Sequence, residues 1–254
     1  MMSLICDENY VRRTAVGEKA FFQAFKNCDR VHIHPDKELI LSAETLGTSC
    51  CESMFEGCTS LTKTPMLLAT TLADMCYNKM FKGCTALTSL PEGLLPATTL
   101  AFGCYAKMFH GCLNLTTVPS TLLPATTLAK ACYNSMFFNC TNLTAAPDLP
   151  ATDPQPGCYF AIFRHCHALT SVKCLIYVES TSVDQPIGYD GSADPEASNM
   201  KDWTEINRWT VFNKWMNDVG NDSNRTFTRN PSMTYNRGDQ VGQIPNKWTI
   251  ITAQ

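Results

Sequence analysis

The stretch Leu72-Ala73-Asp74-Met75-Cys76-Tyr77-Asn78-Lys79-Met80-Phe81-Lys82-Gly83-Cys84-Thr85-Ala86-Leu87-Thr88-Ser89-Leu90-Pro91 decides how the chain is read, because it recurs with small changes along most of the sequence. Met-Phe-x-x-Cys falls at Met54 to Cys58, Met80 to Cys84, Met108 to Cys112 and Met136 to Cys140, with Ile162 to Cys166 and Ala24 to Cys28 as weaker outer copies. The aligned Phe25, Phe55, Phe81, Phe109, Phe137 and Phe163 stand 30, 26, 28, 28 and 26 residues apart. A period of this length marks units that cannot bury their own apolar face and do so by stacking on their neighbours, the signature of a solenoid.

Each unit divides into three parts. Leu100, Cys104, Tyr105, Met108, Phe109 and Cys112 sit at offsets 0, 4, 5, 8, 9 and 12, which predicts one short amphipathic helix per unit, with Phe109 inward and Lys107 outward. Thr98-Thr99 and Thr126-Thr127 stand where they would cap that helix. Gly83, Gly111, Asn139 and Asn27 stand where it must stop, as residues that tolerate a left-handed conformation. Leu87 to Pro91, Leu115 to Pro119 and Leu143 to Pro147 then read as short strands closed by proline, and Leu94-Leu95-Pro96-Ala97 as an extended return. The fold class expected is therefore α/β, a right-handed solenoid of about six coils with one short parallel strand and one short helix per coil, capped at both ends.

Eleven of the fourteen cysteines fall in two columns, Cys28, Cys58, Cys84, Cys112, Cys140 and Cys166 in one, and Cys50, Cys76, Cys104, Cys132 and Cys158 in the other. Flanked by the apolar series, they read as small buried core residues in preference to disulfides or a zinc site, whose usual ligand spacing is absent. Cys51 stands in the column of Tyr77, Tyr105, Tyr133 and Tyr159, where it is either a tolerated substitution or an exposed, reactive thiol.

The boundaries follow from where the period fades. Residues 1–38 hold an N-terminal cap and a first degenerate repeat, 39–177 the repeat body, 178–202 a loop insertion rich in Ser, Asp, Pro and Gly, and 203–254 a C-terminal cap with all four tryptophans. Within the first segment Arg30 to Pro35 alternates as a half-buried strand does, which sets His32 and His34 on one face; without a third ligand nearby this reads as a solvated face and not as a metal pair. Asp202 is placed to cap a helix carrying Ile206, Trp209, Phe212, Met216 and Val219. The acids of the 178–202 loop lack calcium-loop spacing.

Charge excludes one class of partner. Residues 1–175 carry 13 Lys plus Arg against 13 Asp plus Glu, and from Gly57 to Phe163 only nine of 107 residues are charged while 17 are Thr, so no basic patch for nucleic acid exists. No apolar run is long enough to insert in a membrane, and no signal peptide is visible at the start of the sequence. No catalytic, cofactor or metal motif is present, which points away from an enzyme. Where otherwise matching units differ, at Glu56, Lys82, His110, Phe138 and Arg164, the positions read as solvent-facing and free to make contacts. Lys82, His110, Phe138 and Arg164 are accordingly the candidate partner-binding residues, with Trp203 at the tryptophan-rich end as the competing site.

The run Leu-Pro-Ala-Thr-Thr-Leu-Ala-x-x-Cys-Tyr-x-x-Met-Phe-x-x-Cys-x-x-Leu-Thr, at Leu95 to Thr116 and Leu123 to Thr144, resembles the BspA-like leucine-rich repeat proteins of anaerobic gut bacteria. The segments at Trp215 to Val219, Thr226-Phe227 and Gly242 to Ile250 are similar to the closing segment of the same group, although Arg225 stands where that segment has glycine. The resemblance implies a leucine-rich repeat fold and a cell-surface or secreted protein that adheres to host protein or glycan without catalysis or cofactor. A phage or prophage attachment protein built on the same solenoid is the alternative, and a hydrolase using the acids of the 178–202 loop is a more distant one.

Overall fold

The computed structural model describes residues 15–34, 36–175, 219, 224–229, 231 and 247–253. The N-terminal cap residues before 15, the 178–202 insertion, the tail helix apart from Val219, and Trp203 all lie outside the described residues.

The expected helix is not there. Among the described residues no helix occurs, and the segment from Met75 to Cys84, like its counterparts, is a continuous run of turns. Alternate residues play two different parts. Cys76, Asn78, Met80, Lys82 and Cys84 donate their backbone N–H three residues back, to Ala73, Met75, Tyr77, Lys79 and Phe81, at 3.1–3.3 Å. Met75, Tyr77, Lys79, Phe81 and Gly83 instead donate to the next unit, to the carbonyls of Phe102, Cys104, Ala106, Met108 and His110, at 2.8–3.0 Å. The same exchange links Lys19–Asn27 to Thr48–Glu56, Ser49–Gly57 to Asp74–Lys82, Gly103–Gly111 to Lys130–Phe138 and Ala131–Asn139 to Pro156–Arg164. Each carbonyl takes one such bond, so the segment accounts for its polar backbone without a helix and can be buried against its neighbours.

The geometry repeats every four residues. A positive φ occurs at Met75, Lys79 and Gly83, at Gly103, Lys107 and Gly111, and at Ala131, Ser135 and Asn139, so each unit has three left-handed positions. The glycine and asparagine column does adopt the left-handed conformation, at φ 72° for Gly83 and 58° for Asn139, but as the third of a series and not as a helix stop. Of each four residues two adjacent ones point inward, as with Cys76-Tyr77 and Met80-Phe81, all of them buried. Lys107, expected to face solvent, is buried. It stands in the second left-handed column, between Lys79 and Ser135 of the flanking units.

Parallel pairing holds the other sides of the units together. β1 (Ala15–Val16) pairs with β3 (Thr45–Leu46), and β2 (Ile40–Leu41) with β4 (Met66–Leu67). The expected strand segments touch through single parallel bridges, Ser89 to Thr117 and Ala145 to Ser171, while Thr45–Thr71, Thr99–Thr127 and Thr127–Asp153 bridge just before the turn ribbon. Arg30 to His34 keeps its alternation, with Val31 and Ile33 half-buried and His32 and His34 exposed, but it pairs with no strand among the described residues. His34 lies 3.9 Å from Asp36. At the far end β5 (Ser171–Cys174), β6 (Thr226–Arg229) and β7 (Thr249–Thr252) form one parallel sheet. Arg225 is buried, donates to the carbonyls of His167 and Leu169 and so ties β6 to the last coil.

The interior is a set of files. Phe25, Phe55, Phe81, Phe109, Phe137 and Phe163 stack ring on ring at 5.4–5.9 Å, and Tyr77, Tyr105, Tyr133 and Tyr159 stack beside them at 5.9 Å. Such offset pairs add to the burial of each ring. The cysteines between them are free thiols, and those of the two columns are buried apart from Cys28, which is half-buried. One column has a further use: the Sγ of Cys58, Cys84, Cys112, Cys140 and Cys166 donates to the carbonyl of Phe25, Phe55, Phe81, Phe109 and Phe137 in the preceding unit, at 3.0–3.2 Å. A thiol is small enough for the space and supplies a weak donor there.

Close approach of coils at the N-terminal end gives a prediction. A Cβ on Gly47 would lie 2.6 Å from the backbone C of Gly17 and the backbone N of Glu18, atoms that cannot rotate aside. Gly47→Ala is expected to cost about 1–3 kcal/mol by forcing the first two coils apart. Gly111→Ala, where a Cβ meets nothing within 4 Å but φ is +71°, should cost about 1 kcal/mol. Thermal melts of the two variants order them, and a Gly47 variant as stable as the parent would show that the coils do not approach this closely.

Candidate functional site

The variable column forms one edge of the turn ribbon. Its members precede the third left-handed residue of each unit, so the same backbone bonds that stack the units bring Lys26, Glu56, Lys82, His110, Phe138 and Arg164 into line. Lys82, His110, Phe138 and Arg164 are thus brought together as the sequence suggested, but they are not fully solvated. Lys82, Phe138 and Arg164 are half-buried and His110 is buried, because side chains stacked at the spacing of the coils cover one another.

Two sets of contacts run along the file. Glu56 takes the ammonium of Lys26 at 3.1 Å and that of Lys82 at 3.9 Å, so one carboxylate bridges two cations. Burial pushes the Glu56 carboxyl up, while a hydrogen bond from Ser53 and the Lys26 and Lys82 charges pull it down, and it ends below the usual range. His110 lies flat on Phe138, with ring centroids 4.6 Å apart and planes 8° from parallel. Arg164 covers Phe138 at 5.5 Å, close enough for a cation–π contact, and His165 meets it edge-on at 5.1 Å. Burial lowers His110 to a pKa of about 3, assisted by Lys82, Lys107 and Lys79 and opposed by Glu56, so the ring is neutral at physiological pH.

Two residues of this edge escaped the sequence reading. Lys26 was legible as the residue after Phe25 in the weakest copy, at the offset of Glu56 from Phe55. His165 had no such mark, since it fills a left-handed position that holds glycine or asparagine in every other unit.

The remaining reactive groups are shut away. Burial raises the Cys104, Cys158 and Cys166 thiols to about 12 and holds Tyr105, Tyr133 and Tyr159 well above the ordinary phenol range, so these groups stay protonated near neutral pH. Cys51 is buried and not exposed, against one reading of its place in the tyrosine column. Among the described residues no cluster of three or more His, Cys, Asp or Glu is arranged to hold a metal ion, and no helix is long and apolar enough to cross a membrane. Outside the ribbon the surface is hydroxylic: Thr116, Thr144 and Thr170 are exposed and donate through Oγ1 to the carbonyls of Thr88, Thr116 and Thr144 at 2.7–3.0 Å. Comparison with protein-family models, curated proteins and solved structures returned no match.

Proposed function

We propose that the chain is a non-catalytic binding module, a leucine-rich repeat solenoid of BspA-like type, displayed at a cell surface or secreted and adhering to host protein or glycan. One observation carries the reading: the cysteine, methionine and phenylalanine columns that recur from unit to unit are buried but for their outermost members, while Lys26, Glu56, Lys82, His110, Phe138 and Arg164, at which the units differ, stand in file at one edge of the stack. Natural recognition by repeat proteins is spread over equivalent positions of successive units in this way. The described surface also favours binding over chemistry, since the stacked tyrosines, His110 and the column thiols apart from Cys28 are buried away from it.

The contact surface in this reading is the edge made by Lys82, His110, Phe138 and Arg164. Lys82 and Arg164 offer partly exposed cations, and Phe138 offers the rim of an aromatic ring held rigid between His110 and Arg164. A rigid aromatic anchor loses little entropy on binding. Host-protein and glycan arrays would find the partner. Phe138→Ala combined with Arg164→Ala is then expected to weaken binding at least about tenfold, the scale of a lost anchor. Loss of binding in Trp203→Ala, with the double variant unaffected, would move the site to the C-terminal end and overturn the assignment.

A further inference from the structure

The coil from Gly47 to Cys58 differs from its neighbours at one inward position. Where the next four units carry Tyr77, Tyr105, Tyr133 and Tyr159, it carries Cys51, directly after the column residue Cys50. Their sulfurs are 3.6 Å apart, with the Cys50 thiol donating to Cys51. In the other column each thiol is instead engaged by a phenylalanine carbonyl of the preceding unit.

We propose that Cys50 and Cys51 form a peroxide-responsive thiol pair that closes to a disulfide between adjacent residues. The reaction has two steps. The Cys50 thiolate attacks one oxygen of hydrogen peroxide, the O–O bond breaks, and Cys50 becomes a sulfenic acid as hydroxide leaves. The Cys51 sulfur then attacks the Cys50 sulfur and displaces the sulfenic oxygen, which departs as water with the Cys51 proton; two thiols and one peroxide give one disulfide and two waters. The Cys51 sulfur already stands 3.6 Å from the sulfur it must reach, and its thiol can donate to Cys50 once Cys50 ionises, which lowers the Cys50 thiol below its ordinary value.

Position supplies the access. The pair is buried, but the coil over it is the first one described, and Phe21 and Phe22 of that coil are 38% and 40% exposed. The N–H of Phe21 donates to the Cys50 carbonyl at 2.7 Å, and among the described residues this coil alone lies over the pair on that side. Local opening of a coil with exposed side chains admits small molecules, and peroxide is little larger than water. Neighbouring Cα atoms lie about 3.8 Å apart across a trans peptide, short of the roughly 4.4–6.8 Å usual for a disulfide, so the closed form strains its turn and is readily reduced again.

The test is peptide mass spectrometry of the full chain treated with hydrogen peroxide at neutral pH, then denatured and alkylated. The peptide carrying Cys50 and Cys51 is expected to lose about 2 Da, to take up no alkylating reagent, and to recover both thiols on reduction. Cys51→Tyr, which restores the residue of the other units, should abolish the loss. Cys51→Ser serves the same purpose if the ring does not pack, and circular dichroism confirms that either variant is folded. Two alkylated thiols on this peptide at peroxide levels that oxidise an added small thiol would overturn the proposal. So would a cross-link from Cys50 to Cys76, or a gain of about 32 Da to the sulfinic acid in place of the bond.

Discussion

Phe109→Ala is expected to lower the free energy of unfolding by about 3–5 kcal/mol, the upper range for emptying a buried aromatic position. Phe109 is fully buried, and its ring stacks on Phe81 at 5.6 Å and on Phe137 at 5.7 Å. Truncation removes both contacts and leaves a cavity that cannot close. The coil spacing is set by backbone bonds such as Phe109 N to Met136 O at 3.0 Å, and the phenylalanine carbonyl is held by the Cys112 N–H at 3.1 Å and the Cys140 thiol at 3.2 Å. The cavity falls in the middle of the stack, so the coils on either side lose their coupling, and the denaturant slope should fall as the single transition divides. Urea melts followed by circular dichroism measure both quantities. Thr126→Ala, at an exposed position, should change stability by less than about 0.5 kcal/mol, and an equal effect from the two substitutions would mean that Phe109 is not in the file.

The stacking of units was legible in the sequence because it is written in side chains: the 26–30 residue period, the inward phenylalanines and the small cysteines all match buried columns. The backbone between them was misread as helix, although the sequence held the contrary sign. Leu72, Cys76, Met80 and Cys84 are spaced by four throughout, whereas an α-helix of 3.6 residues per turn drifts by about 40° at each such step and would scatter them over a third of its circumference. A true helix mixes steps of three and four. Of the three left-handed columns only the last was marked in nearly every unit, since Gly83, Gly111 and Asn139 are residues that tolerate positive φ, while the first carries glycine only at Gly103 and Gly157. Met75, Lys79, Lys107 and Ser135 carry no such mark, and their conformation is imposed by the alternate N–H groups that must reach the next coil.

The candidate edge was legible as a column and illegible as a surface. Alignment alone puts Lys82, His110, Phe138 and Arg164 in register. That they cover one another depends on coils packed closely enough for His110 and Phe138 to stack at 4.6 Å, a distance no spacing in the sequence states. The thiol donors show the same limit: a small buried residue was readable, its bond to a phenylalanine carbonyl in the previous unit was not.

Acid should find its target at His110. Its ordinary pKa of 6.5 falls to about 3 in the folded chain, first through burial, then through Lys82, Lys107 and Lys79, with Glu56 opposing. In the unfolded chain the ring regains its ordinary value, so between these limits the unfolded state binds a proton that the folded state refuses. Stability therefore rises with pH across this window: the contribution is fully present above pH 6.5 and is lost progressively as the pH falls towards 3. The slope approaches about 1.4 kcal/mol per pH unit, and the loss between pH 6 and pH 4 is about 2.5 kcal/mol. Glu56, whose pKa is also held down, loses stability in acid as well, but nearer the carboxylate range, so the parent alone does not separate the two. His110→Phe does, since a phenyl ring can keep the stack on Phe138 and does not titrate. Urea melts of parent and variant at pH 6 and pH 4 are expected to show the parent losing about 2.5 kcal/mol more than the variant. Equal losses would mean that His110 takes up its proton in the folded chain, and with it that this edge of the ribbon is open to water.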